Sequence, residues 1–114
     1  MSNPPTPAPN DAIAQLAAIL SEEDARDLVQ TFFKEYDGLY RKLVSGKREE
    51  QHLAAHGLKS SSLHMGLAAL TQRFAVLEAR LAEPNGTVNS DDIDIINAEY
   101  ERGIPPLRKY SQGK

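Results

Sequence analysis

The chain has 114 residues, 40% of them apolar, a formal net charge of −3 and no cysteine, which suits one small domain and excludes disulfide frameworks and thiolate metal sites. Its compact basic runs, Arg41-Lys42 and Lys47-Arg48, bracket a turn and are followed by Glu49-Glu50, so no cationic stripe is offered to nucleic acid. No apolar run reaches the ~20 residues that a membrane-spanning helix needs.

Residues 1–10 hold prolines at Pro4, Pro5, Pro7 and Pro9, a composition that favours extended, solvated backbone. We expect a disordered lead there, followed by one helical domain over residues 11–114. The first residues carry neither a basic start nor a hydrophobic stretch, so no secretory signal is expected and the location is expected to be cytoplasmic. Met1 and the short length suit a free-standing protein.

Asn10 or Asp11 can cap a short helix from Asp11 to Leu20, with Ile13, Leu16, Ala17 and Leu20 on one face. Ser21, with Asp24 three residues on, resembles a capping box and starts a long second helix that Gly46 ends. Its stripe is expected to be Leu28, Phe32, Tyr36, Leu39 and Leu43, with Val29, Phe33 and Tyr40 beside it. A third helix should run from Arg48 to about Met65 and stop at Gly66. A fourth should begin near Leu67, with Leu67, Leu70, Phe74, Leu77 and Leu81 on one side, and stop at Pro84-Asn85-Gly86. Ser90 before Asp91-Asp92 is expected to cap the last helix, with Ile93, Ile96 and Tyr100 in register. Pro105-Pro106 should kink or end it, with Leu107 to Tyr110 as a short helical tail. No segment alternates with a two-residue period. The expected fold is therefore all-α, an antiparallel four-helix bundle with a short extra N-terminal helix.

The stretch from Ala54 to Leu67 breaks local preference. Gly57 and the run Ser60-Ser61-Ser62 are weak helix formers set in the middle of a helix. At about 100° per residue, Ala54, Gly57, Leu58, Ser61 and Met65 share one small, apolar face, while His52, His56, Lys59 and Leu63 share the other. A solvent-facing neutral imidazole is a competent nucleophile near neutral pH. Attack on a phosphoryl group would give a phosphoramidate suited to onward transfer. Lys59, one turn on, places a cation for the phosphate charge, and the Ser60 hydroxyl lies within reach of a phosphate oxygen. His52 and His56 have the i, i+4 spacing of a zinc pair, but no general-base Glu lies between them. No metal site is expected. His52 reads as a surface neighbour and His64 as a helix-end residue.

This stretch resembles the signature of the histidine-containing phosphotransfer (HPt) domains of multistep two-component phosphorelays. The matching positions are His56, Leu58, Lys59, Ser60-Ser61-Ser62 and Gly66, with Ala55 before the histidine. Ser60 stands where family members usually carry glycine, which bears on partner geometry and rate more than on the basic role. The resemblance implies that His56 accepts the phosphoryl group on its outer ring nitrogen, that Lys59 compensates phosphate charge, and that Ser60, Leu63 and Gly66 serve docking. Glu78 lies in the following helix where family members carry polar residues near the site; a solvated charge fits it equally well. The implied partners are response-regulator receiver domains and a hybrid sensor histidine kinase. The implied Mg²⁺ belongs to the partner receiver, with no cofactor in this chain. The resemblance also implies a monomer that relies on its partners for catalysis and is not itself an enzyme. Ser60 keeps open a second reading, a bundle of this fold that docks receivers without being phosphorylated.

Overall fold

A computed structural model describes residues 6–113. Part of the proline-rich lead, residues 1–5, lies outside the described residues, as does Lys114. Among the described residues five helices follow one another: α1 (Asp11–Ile19), α2 (Glu22–Ser45), α3 (Arg48–His64), α4 (Ala68–Leu81) and α5 (Ser90–Gln112). Among the described residues no strand occurs and no helix is long and apolar enough to cross a membrane.

The helix starts obey local capping chemistry. Asn10 caps α1, its Oδ1 accepting from the Ile13 N–H at 2.9 Å. The Ser21 hydroxyl accepts from the Asp24 N–H at 3.0 Å and starts α2. For α5 the cap is Asn89, one residue before the expected Ser90. Asn89 and Asp92 exchange hydrogen bonds, Asn89 Oδ1 accepting from the Asp92 N–H and Asp92 Oδ2 from the Asn89 N–H. Asn89 wins over Ser90 because it has a carboxylate three residues on, which closes a reciprocal box.

The end of α3 carries more than its own termination. Gly66 takes φ +73°, a left-handed conformation that glycine adopts without steric cost. The Leu67 N–H then bonds to Ser62 O and the Gly66 N–H to Leu63 O, which satisfies carbonyls that the helix end would leave bare. The Asn10 side chain sits where a Cβ on Gly66 would fall, at 2.5 Å, and its Nδ2 donates to Met65 O at 2.9 Å. One asparagine thus starts α1 and stops α3.

α2 packs against α3, α3 against α4, α4 against α5 and α5 back against α2, with α1 laid on α2. The core inside this ring includes Val29, Leu43, Leu58, Phe74, Leu77, Ile96 and Tyr110, each large side chain worth roughly 1.5–3 kcal/mol when buried. The buried stripe of α2 is Ala25, Val29, Phe32, Tyr36 and Leu43. Leu28, expected on that stripe, is exposed, because the helix has apolar candidates side by side at 28 and 29 and the helices packed against it select the second. On α3 the fully buried serine is Ser62, while Ser61, expected on the apolar face, is half-buried.

Pro105-Pro106 do not end α5, the second of the two outcomes expected from the sequence; the helix runs on to Gln112. The two prolines remove N–H groups that would have bonded the carbonyls of Glu101 and Arg102. Both of those residues, and both prolines, are exposed, so water can take the freed carbonyls. Ile104, Leu107 and Tyr110 are buried beneath. Side-chain ties to α2 hold the distal turns: the Tyr110 hydroxyl donates to Glu22 Oε2 at 2.8 Å, and Gln30 Nε2 donates to Ser111 O at 3.0 Å.

Candidate functional site

α3 is anchored by Ala54, Ala55, Leu58 and Ser62, all buried. Those four positions turn His56 outward by helical geometry alone. Its side chain is 65% exposed. Gly57 lets α2 come close beneath it, since a Cβ there would lie 3.2 Å from Leu39 Cδ1. The sequence places His56 on a helix that sits tightly on its neighbour and leaves one face open.

The decisive contact comes from α4. Glu78 reaches across to α3 and grips two residues at once: Oε2 lies 2.6 Å from His56 Nδ1, and Oε1 lies 2.6 Å from Lys59 Nζ. Its side chain is only 18% exposed, against 32% for Lys59. The hydrogen bond from Lys59 holds the Glu78 carboxyl below the usual carboxylate range, against the opposing pull of its partial burial and with help from His56. Glu78 is therefore ionised near neutral pH. An ionised carboxylate accepts hydrogen bonds and cannot donate them. The proton of a neutral His56 ring must then sit on Nδ1, which leaves the lone pair on Nε2, the nitrogen that Glu78 does not occupy.

A carboxylate that fixes the tautomer and orientation of an imidazole is a recurring device for aiming a ring nitrogen at an electrophile. Here it comes with a cation one turn away and with a ring open to solvent. The arrangement suits nucleophilic attack by Nε2 on an electrophile delivered from outside. Among the described residues no group of three or more His, Asp or Glu converges to hold a metal ion.

Of the expected site residues, the structure brings together His56, Lys59 and Glu78. Ser60 is half-buried one turn from His56, and Leu63 is 61% exposed two turns along the same face. Gly66 stands apart at the helix end, ten residues and roughly 15 Å along the axis from His56, where it is engaged with Asn10. Leu53, three residues before His56, is 70% exposed and extends the apolar margin on the other side of the ring. Its i−3 spacing from His56 on the same helix is the sequence signal for it. The double grip of Glu78 also had a faint signal. In a helical hairpin that turns at Gly66, residues ten before and twelve after the turn lie nearly level.

In comparisons with known proteins, no family model, no curated protein and no solved structure matches this chain.

Proposed function

We propose that this protein is a phosphorelay intermediate that accepts a phosphoryl group on His56 Nε2 and passes it to or from the aspartate of a receiver domain. The observation that carries the reading is the His56–Glu78–Lys59 arrangement: an exposed ring whose Nδ1 is committed to a carboxylate, with an ammonium held beside it. The HPt-like motif around His56 adds independent support, and so does an all-helical architecture that we read as an antiparallel four-helix bundle with an extra N-terminal helix.

On this reading His56 is the nucleophile, Lys59 offsets phosphate charge in the reacting state and Glu78 orients the ring. Leu53 and Leu63 flank the site as apolar docking contacts, with Ser60 small enough to admit the partner between them. Gly66 contributes by stopping α3 rather than by touching the partner. The partners are response-regulator receivers and a hybrid sensor histidine kinase in the cytoplasm, and the receiver supplies Mg²⁺. The chain acts as a monomeric carrier, with catalysis provided by the partner.

The test is phosphotransfer from an acetyl-phosphate-charged receiver, read by intact mass. The wild-type chain should gain one base-stable, acid-labile phosphoryl group, and His56→Gln should gain none while melting at nearly the same temperature. Equal labelling of His56→Gln would remove the assignment. Lys59→Ala should slow transfer more than it weakens receiver binding, since charge compensation matters most in the transition state.

A further inference from the structure

We propose that Ser60 is a phosphoryl-binding residue: its hydroxyl donates a hydrogen bond to the group on His56 Nε2 and shifts the exchange equilibrium between this chain and its receiver toward the phosphorylated chain. This deepens the carrier reading above and rests on it.

The ring stands between two neighbours on α3. At about 100° per residue, Lys59 lies about 60° to one side of His56 and Ser60 about 40° to the other. Lys59 is on the α4 side, where its ammonium meets Glu78 Oε1 at 2.6 Å. Gly57 marks the α2 side, facing Leu39, and Ser60 falls between Gly57 and His56 in azimuth. Glu78 Oε2 holds Nδ1 from the α4 side at 2.6 Å. The two nitrogens of an imidazole point in nearly opposite directions, so Nε2 is aimed away from α4, toward the edge that Ser60 occupies. Residues four apart on a helix have Cβ atoms about 5–6 Å from each other. Their Cα–Cβ bonds tilt toward the helix N-terminus, which carries the Ser60 hydroxyl toward the ring.

The hydroxyl is also uncommitted. Ser45, Thr71 and Ser111 turn theirs back onto carbonyls three or four residues earlier, at 2.8–2.9 Å. Half-buried Ser60 makes no side-chain hydrogen bond among the described residues, so its proton is available to an acceptor from outside. Ser61 is turned about 140° from His56 and Ser62 is fully buried, which leaves Ser60 as the serine of the run beside the ring. In transfer the Nε2 lone pair forms the N–P bond as the acyl-phosphate P–O bond breaks, and that bond's electron pair stays on the partner's carboxylate. Ser60 neither gains nor loses a proton. Its hydrogen bond to the charged phosphoryl oxygen exists only while the group is on His56, so it stabilises the loaded carrier and not the empty one.

The experiment mixes the full chain with a receiver charged by acetyl phosphate and then freed of it, and follows both proteins by intact mass until the phosphorylated fractions reach a constant ratio. The same ratio is approached from the other side with repurified phosphorylated chain and uncharged receiver. A change in docking or access alters forward and reverse rates together, so the equilibrium constant reads what the hydroxyl does to the loaded chain. Ser60→Ala removes only the hydroxyl and should lower that constant about fivefold, the scale of one net hydrogen bond. Ser60→Gly should lower it as much while speeding exchange in both directions, because it also opens the approach to Nε2. Ser61→Ala, on the far side of α3, should leave it within about twofold. An unchanged or raised constant in Ser60→Ala, or an equal fall in Ser61→Ala, overturns the proposal while a labelled His56 leaves the carrier reading standing. A wild-type chain that is never labelled on His56 overturns both.

Discussion

Two carboxylates on the molecule, Glu78 and Asp92, are nearly equally sheltered, with side chains 18% and 15% exposed, and each bridges two partners. Asp92 joins the Arg80 guanidinium to the backbone N–H of Asn89, and so locks the start of α5 onto α4. Glu78 joins Lys59 to His56. The difference lies in the partners. A guanidinium and a backbone amide keep their protons under all ordinary conditions, so Asp92 can only hold structure. An imidazole has a second nitrogen and changes charge near neutral pH. The same kind of grip at Glu78 therefore sets the chemistry of the open Nε2. Carboxylate burial alone does not mark a functional site; the proton chemistry and exposure of what it holds do.

That contrast can be broken by substitution. The largest effect on stability should come from a third position, Gly66→Ala, which forces a side chain into a left-handed backbone and into the space of Asn10. We expect a loss of about 1–3 kcal/mol from the backbone alone, read as a lowered denaturation midpoint, with His56 still labelled in the folded protein. Loss of labelling in a stably folded Gly66→Ala would instead return Gly66 to the docking surface. Asp92→Ala should cost about 1–2 kcal/mol through the lost cap and leave the phosphotransfer rate within about twofold of wild type. A tenfold slower Asp92 variant with intact docking would show that the two carboxylates are not separable.

Glu78→Gln should invert that pattern. Its stability change should stay under about 1 kcal/mol, because the amide keeps an acceptor and the pair is partly solvated, while phosphotransfer slows because the ring loses the carboxylate that orients it. The smallest effect is an acid one. Glu78 is held below its ordinary range in the folded chain by Lys59, so its contribution is present above the unfolded value of about 4.3 and is lost as pH falls through the lower folded value. Between pH 5 and pH 2 the wild type should lose more stability than Glu78→Gln, measured by urea midpoints. Parallel acid profiles would mean that the carboxylate gains nothing from its two partners.

Much of this was legible from spacing. The helix caps at Asn10 and Ser21, the stops at Gly46 and Gly66, and the apolar repeat of α4 are local features, and the structure has them where local chemistry puts them. The outward face of His56 follows from buried neighbours at 54, 55 and 58. The persistence of α5 through Pro105-Pro106 was not legible, because the local penalty is offset by burial of Ile104, Leu107 and Tyr110 against α2 and the rest of the core. The choice of Val29 over Leu28 also depended on what packed against α2.

By itself the chain determined where helices begin and end, and that an imidazole and an ammonium share one exposed face of α3, since those properties depend on residues within a turn or two of each other. Only the tertiary structure decided that Glu78 meets both of them. That contact spans 22 residues and two helices, and its geometry depends on how closely α3 and α4 pack and on the angle at which the Gly66 turn returns the chain.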